Sequence, residues 1–377
     1  MPRHPNSIHL GFEVGGGAPV SIPFHHLICC GLTRLSGKTT TLEALIARSG
    51  RRAIVFSTKR GEKEFEGATE VQPFYREHVD WVYVQSLLEA ALTEKLKLER
   101  SWIIRVTHAA KTLDQVHANV REALETAKGF AQSMYTNLNA YFDLVLPQIH
   151  AANFSGRLKL AAGLNVMHLE HLSSEVQALV IRAVLEEIYA QYKNTITVIP
   201  ESWKFIPEGR GNPVKQVAQK LIREGGVLGN YVYLDSQEIT SVDKSLLKSV
   251  DVWLLGRQRE INEIKRMIEQ VPVKPKPKAE EIATLEVGQF IACFGNQVHK
   301  VYVQPLWLEA EQARLIATGE AANDQFERNR QADGVVRRKR ISGAHRRRSL
   351  RLARSRQKPD CQDRELKKRW HLSHRKR

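Results

Sequence analysis

"LICCGLTRLSGKTTTLE", residues 27–43, decides how the rest of the chain is read. A short apolar run leads through a loop to Gly37-Lys38-Thr39. Then comes "TTTLEALIARSG", in which Leu42, Leu45 and Ile46 share a helical face and Gly50 ends the helix. A strand, a loop closed by Gly-Lys-Thr and a helix together make a phosphate cradle. Backbone N–H groups point inward at the helix N-terminus, the lysine reaches terminal phosphates, and the hydroxyl holds Mg²⁺. The spacing departs from the usual pattern. A glycine is wanted six residues before the lysine, but that position is Leu32 and the available glycine, Gly31, lies one residue farther out. Either the loop is one residue longer and starts at Gly31, or Leu32 replaces the first glycine. Gly-Lys-Thr also opens helices by chance, so the loop needs support from elsewhere in the chain.

Working outward, "RAIVFST" is a second buried strand, and strand–loop–helix–strand opens an α/β domain with a parallel sheet. Upstream, "IHLGFEV" and "VSIPF" flank "GGGAP" and predict paired strands joined by a glycine turn. Residues 71–156 read as mostly helical. Within them "TLDQVHANVREALETAKGFAQSMYTNLNAYFDLVLPQI" has few breakers, room for two or three helices and no chemical constellation. The sheet pattern returns at "LNVMHL" (164–169). An amphipathic helix follows, with Val176, Leu179, Val180, Ala183, Val184 and Ile188 on one face. "TITVIPES", "NYVYLDSQE" and "DVWLLGR" are further strands, while "NPVKQVAQKLIREGG" and "REINEIKRMIEQ" are helices. "VPVKPKPK" reads as an extended linker, and "FIACFGNQVHKVYV" as a hairpin about Gly295-Asn296. The expected division is a core start at 1–70, a helical insertion at 71–160, the rest of the core at 161–310 and a basic, disordered tail at 311–377.

The 377 residues, 42% hydrophobic and 26% charged, suit a globular chain with a sizeable core. Cys29, Cys30, Cys293 and Cys361 form no disulfide framework, and the adjacent pair reads as buried thiols in a reducing compartment. The opening residues lack a signal-peptide stretch, and no window approaches the ~18 apolar residues of a membrane span. A cytoplasmic location is expected. The net charge of +16 is concentrated: residues 326–377 hold 20 Lys+Arg against 5 Asp+Glu, leaving 37 basic and 36 acidic groups elsewhere. Such a tail is a nucleic-acid arm, a solvated tail, or an extension with no selected role. With only Trp370 and histidines for stacking, it makes a poor single-strand platform.

A nucleotide-hydrolysing site needs a carboxylate at the end of a neighbouring strand, to polarise water and help organise Mg²⁺. Glu201 ends "TITVIPES", although strand-end glutamates are often simply solvated. "YVYLDSQ" ends in the polar cluster Asp235-Ser236-Gln237, where the glutamine could sense a γ-phosphate and an ordinary turn is the plainer reading. Polar strand ends along one edge of a parallel sheet are where ligands bind in open α/β folds.

Taken together, "GLTRLSGKTT", "VIPESWKFIPEGRG", "KLIREGGVLGNYVYLDSQEITSVDKSLL" and "VDVWLLGR" resemble the successive motifs of the HerA–FtsK superfamily of RecA-like P-loop ATPases. The closest likeness is to the HerA-like branch of DNA translocases and conjugative-transfer ATPases. It covers roughly residues 6–305, loosely over 71–160. The resemblance implies a RecA-like α/β core with a mainly parallel sheet, ATP and Mg²⁺ as cofactors, and a hexameric ring that moves double-stranded DNA through its pore. It implies nucleotide binding by Gly31, Thr33, Ser36, Gly37, Lys38, Thr39 and Thr40, with Thr39 and Glu201 on the metal. Glu201 becomes the catalytic base and Gln237 the γ-phosphate sensor. Arg223 becomes an arginine finger for the next subunit, or else a surface arginine at a helix end.

Two departures bear on activity. The family places an aspartate before the glutamate, and here that residue is Pro200. The loop also lacks the family's run of glycines, and with about 25 residues before the first core strand the branch's N-terminal β-barrel is not expected in this sequence. The sequence therefore predicts an ATP-driven motor on DNA, with a nucleotide-dependent switch or scaffold that hydrolyses little or no ATP as the rival. A small-molecule phosphotransferase lacks any recognisable acceptor lid.

Overall fold

The computed structural model describes residues 7–32, 36–59, 65, 67–77, 79–209 and 211–322. Thr33, and the basic residues 326–377 expected to form a tail, lie outside the described residues. Strands β1 (Ser7–Glu13) and β2 (Pro19–Pro23) pair antiparallel. The turn between them needs positive φ at Gly15 and Gly17, which explains the glycine run. The wholly buried β3 (Leu27–Cys30) leads into α1 (Lys38–Ser49), which stops at Gly50 in the left-handed conformation. β4 (Arg52–Ser57) and the short β5 (Thr69–Val71) follow.

The insertion then unfolds as four helices: α2 (Trp81–Leu92), α3 (Arg100–Thr107), α4 (Leu113–Thr126) and α5 (Phe130–His150). Asp80 and Thr112 cap α2 and α4 by accepting from Tyr83 N and Gln115 N. These helices enclose a core of their own, built from Val84, Leu87, Ile103, Val116, Leu138 and Phe142. That core meets the sheet domain through Val176 and Leu179. Each such buried side chain is worth about 1.5–3 kcal/mol, so these helices are stabilised by packing.

The sheet resumes with β6 (Leu164–His168), α6 (Ser174–Gln191), β7 (Thr195–Ile199), α7 (Ser202–Phe205), α8 (Pro213–Glu224) and β8 (Tyr231–Ser236). It closes with α9 (Lys244–Leu247), β9 (Val252–Leu255), α10 (Ile261–Gln270), α11 (Ala279–Ala283), β10 (Gln289–Phe294), β11 (Gln297–Val303) and α12 (Ala310–Thr318). The eleven strands form one sheet in the order β2-β1-β11-β10-β9-β3-β8-β7-β4-β6-β5. From β9 to β5 every pairing is parallel, while β2, β1, β11 and β10 form an antiparallel wing. This is the α/β architecture expected, with the parallel half covered on both faces. That is why β3, β7 and β9 are apolar throughout instead of alternating. One face packs Leu27, Cys29, Val55 and Tyr233 with Leu42, Leu45 and Ile46 of α1. The other packs Ile28, Cys30, Ile54 and Leu234 with α6, α8 and α10.

Two expectations need correction. "VPVKPKPK" is no free linker: Val271 and Val273 are buried in the second core, and Lys276 donates to the carbonyl of Glu269 (3.2 Å). The boundary at 310 also falls too early, because α12 begins there and packs on β1 and β11, within a compact unit that reaches Glu320. Charge alone did not separate this helix from the tail; Ala313, Ile316 and Ala317 form its buried face.

Candidate nucleotide site

Because β9, β3, β8, β7, β4 and β6 run parallel, their C-terminal ends line one edge of the sheet. That edge carries Gly256-Arg257, Gly31, Asp235-Ser236-Gln237, Glu201, Lys59 and His168 in order. The phosphate-type loop therefore leaves a central strand. Its entry is fixed by two amides: Gly31 N–H donates to Ser236 O (3.2 Å) and Leu32 N–H to Arg257 O (2.9 Å). Gly31 has φ +144°, where a side chain would strain the backbone, and a Cβ there would lie 3.0 Å from the carbonyl carbon of Gly256. The geometry thus starts the loop at Gly31, one residue early, with Leu32 as an anchored loop residue.

At the other end Gly37 is left-handed (φ 79°) and caps α1 without any side-chain hydrogen bond. Its carbonyl accepts from Thr41 N–H (3.0 Å), so α1 starts here and the N–H groups of its first turn point out of the helix. Those unsatisfied donors and the helix dipole suit an anion. Ser36 braces the loop from within: its hydroxyl donates to Leu32 O (2.8 Å) and its carbonyl accepts from Gly288 N–H (3.3 Å). Lys38 is 7% exposed, and its ammonium donates to Gly31 O (2.9 Å) and stands 3.7 Å from an oxygen of Asp235. Thr39 and Thr40 follow on the first turn, both half-buried.

Glu201 occupies the end of β7 and is 6% exposed. Its backbone is left-handed (φ 47°), costing a non-glycine residue about 1–3 kcal/mol, a strain typical of functional sites. Both carboxylate oxygens are engaged: Lys59 donates to one, and Trp203 Nε1 donates to the other (2.5 Å). Beside them Lys204 donates to Gln177 Oε1 (2.9 Å), and burial holds its ammonium below the ordinary lysine range.

Gln237 sits just past β8, with its carbonyl accepting from Gln258 Nε2 (3.1 Å). The next turn is stapled by Glu263 of α10, which is buried. Its carboxylate accepts from Ile239 N–H (2.6 Å), from Thr240 N–H (3.1 Å) and from the Thr240 hydroxyl. The structure thus brings Gly31, Ser36, Gly37, Lys38, Thr39 and Thr40 into one cradle, with Gln237 and Glu201 on the next two strand ends. Arg223 lies elsewhere. It is exposed in the last turn of α8, beside the start of β8, about 20 Å of strand away from that strand's site-bearing end. Within one chain it cannot reach the loop.

Lys59, Trp203, Gln258 and Glu263 escaped sequence reasoning. Only Lys59, two residues past a strand in "VFSTK", carried a signal, being a lysine at the edge where ligands bind. Among the described residues Cys29, Cys30 and Cys293 are buried free thiols, and burial pushes the last up to about 12.

The donors available to a metal, the Thr39 hydroxyl and nearby carboxylates, are hard oxygen ligands of the kind Mg²⁺ prefers. Among the described residues no group of three or more His, Cys, Asp or Glu side chains could hold a metal alone. Mg²⁺ bound through one or two carboxylates and substrate phosphates needs no such group. No helix among these residues is long and apolar enough to cross a membrane.

No family model and no curated protein matches the sequence. Solved structures do match the fold. VirB4 of Thermoanaerobacter pseudethanolicus is similar over 82% of this chain and 98% of that one, at 11% identity and a TM-score of 0.61. The bacterial conjugative coupling protein TrwB is similar over 78% of this chain and 88% of its own, at 13% identity and a TM-score of 0.54. The TrwB structure in complex with ADP and Mg²⁺ covers 81% and 91%, at 13% identity and 0.54. At such identities the likeness shows the fold alone, a RecA-like α/β core.

Proposed function

We propose that this chain binds ATP with Mg²⁺ at the loop from Gly31 to Thr40 and hydrolyses it to move DNA, working as a homo-oligomeric ring of the HerA-like type. One observation carries the reading. Lys38 opens α1 from a glycine-hinged loop, and Gln237 and Glu201 stand in order on the two strand ends beside it. The binding of ADP and Mg²⁺ by the similarly folded TrwB supports the choice of ligand.

In this reading Lys38 leaves the carbonyl of Gly31 for the terminal phosphates, and the first-turn amides of α1 receive their oxygens. Bound with the nucleotide, Mg²⁺ would neutralise charge between the β- and γ-phosphates, with Thr39 and a strand-end carboxylate holding it. Glu201 orients and deprotonates the attacking water once its links to Lys59 and Trp203 loosen. Gln237, its carbonyl held by Gln258 and the turn after it stapled by Glu263, reports the γ-phosphate to α10. Arg223, remote from its own chain's site, can offset transition-state charge only in a neighbouring copy. Val227, 93% exposed in the short 3-10 segment Gly225–Leu228 that follows α8, offers that contact an apolar anchor.

Steady-state ATP hydrolysis with and without double-stranded DNA tests the proposal, comparing the full chain with one ended after Gln325. Mg²⁺-dependent turnover that rises with DNA and vanishes in Lys38→Ala supports the motor, and loss of only the DNA effect on truncation assigns the basic tail to DNA. The rival, a nucleotide switch with little hydrolysis, is favoured by Pro200 and by the double tie on Glu201. ATP binding without turnover, unchanged by Glu201→Gln, would establish it.

A further inference from the structure

We propose that Asp235 is the carboxylate with which this chain organises nucleotide-bound Mg²⁺, taking over from the aspartate absent at Pro200. The inference rests on the nucleotide-site reading above and adds to it an assignment that no sequence motif supplies.

The register carries the argument. β3 and β8 are parallel with Cys29 opposite Asp235, and β7 and β8 are parallel with Ile199 opposite Leu234. One residue further along, Pro200 falls beside Asp235. Paired residues of parallel strands point to the same face, and alternation then fixes which face it is. Tyr233, two residues before Asp235, packs with Cys29 and with α1; Val198, two before Pro200, packs there too. Positions 200 and 235 therefore face the helix that Lys38 and Thr39 begin. Moving a carboxylate from 200 to 235 shifts it sideways by one strand spacing, about 4.8 Å, toward the phosphate loop, and keeps its level and its face.

The side chain is where this predicts. An Asp235 oxygen lies 3.7 Å from the Lys38 ammonium, and the two side chains are only 17% and 7% exposed. Its peptide carbonyl accepts from the Ser202 hydroxyl (2.9 Å), which locks the end of β8 to the turn after Glu201. Glu201 itself is committed to Lys59 and Trp203, on the side of the site away from β3. Two carboxylates thus divide the two tasks usually given to adjacent residues of one strand: Asp235 for the metal, Glu201 for water. When phosphate draws Lys38 off Gly31, Asp235 gives up that ammonium, and a divalent cation beside Thr39 restores its electrostatic partner.

The test measures binding, apart from turnover. A fluorescent ADP is titrated into the full-length wild type and into Asp235→Asn, in Mg²⁺ and in EDTA, with Mn²⁺ uptake by the ADP complexes followed by electron paramagnetic resonance. Asp235→Asn is expected to hold ADP in EDTA within about threefold of wild type. Its gain in affinity on adding Mg²⁺, and its Mn²⁺ affinity, should fall about tenfold or more, and Pro200→Asp in the same chain should recover most of the loss. An unchanged Mg²⁺ gain in Asp235→Asn overturns the assignment. So does a variant whose ADP affinity in EDTA changes while the Mg²⁺ gain persists, since Asp235 then only positions Lys38. Wild type that binds no ADP at all overturns the nucleotide site together with this inference, an outcome distinct from the other two.

Discussion

Gly256→Ala tests whether the loop is held in shape by packing from β9. A Cβ at residue 256 would lie 2.8 Å from Ser36 Cβ, 2.9 Å from the carbonyl oxygen of Cys30 and 2.9 Å from the ring of Phe290. None of these neighbours is the free end of a flexible side chain. Ser36 is tied through Leu32 O and Gly288 N–H, Cys30 O accepts from Gly256 N–H (2.7 Å), and Phe290 is fully buried. Over-packing of this kind costs about 1–3 kcal/mol. The backbone does not require positive φ at this position, so the entropic gain of Gly→Ala, about 0.4–1 kcal/mol, opposes it. A net loss of about 1–2 kcal/mol follows. Because the backbone and Phe290 are fixed, Ser36 yields first and the loop shifts with it. ADP affinity is therefore expected to fall about tenfold, or about 1.4 kcal/mol. Urea denaturation and fluorescent-ADP titration measure the two effects. Gly226→Ala is the control, having nothing within 4 Å of its Cβ and no positive φ. Gly256→Ala with wild-type stability and wild-type affinity would refute the packing argument.

Glu201→Gln should keep ATP binding and lower turnover by about 10²–10⁴-fold in single-turnover hydrolysis, the usual contribution of a general base. Glu263→Gln exchanges a buried carboxylate that accepts from two backbone N–H groups and a hydroxyl for a weaker acceptor, at a cost of about 1.5–3 kcal/mol. Turnover should drop while ADP affinity holds, because the staple positions Gln237 and leaves the cradle alone; equal losses in both would assign Glu263 to global stability. Burial pushes the His26 imidazole down to about 4, Asp251 partly opposing, and its Nδ1 accepts from Val232 N–H (3.1 Å). A depressed folded-state value means the unfolded chain binds the extra proton. Stability from this group is therefore full above about 6.5 and is lost as pH falls from there toward 4, by up to about 3 kcal/mol. Denaturation at pH 7 and pH 5 should show a smaller difference in His26→Gln than in wild type.

Much of the fold was legible in local pattern. Fully apolar runs such as "LICC" and "TITVI" announce strands buried on two faces, and the helices that follow β3, β6, β7, β8 and β9 dictate the crossover architecture. Gly-Lys-Thr at a strand-to-helix junction marks the cradle, because the requirement for backbone donors at a helix start is met by consecutive residues. The loop's true beginning was not legible: Gly31 and Leu32 are distinguished only by contacts with Ser236, Arg257 and Gly256, from strands far along the chain. Nor could the sequence show that "VPVKPKPK" is packed, since alternate valines become a buried face only when a core lies beneath them. The chain's own residues therefore determined the strands, helices and order of the polar strand ends. Tertiary structure decided which of those groups meet: Asp235 with Lys38, Lys59 and Trp203 with Glu201, Glu263 with the turn after Gln237. The reason is topological, for β8 and β7 insert between β3 and β4, and a parallel sheet juxtaposes the ends of strands that lie far apart in sequence.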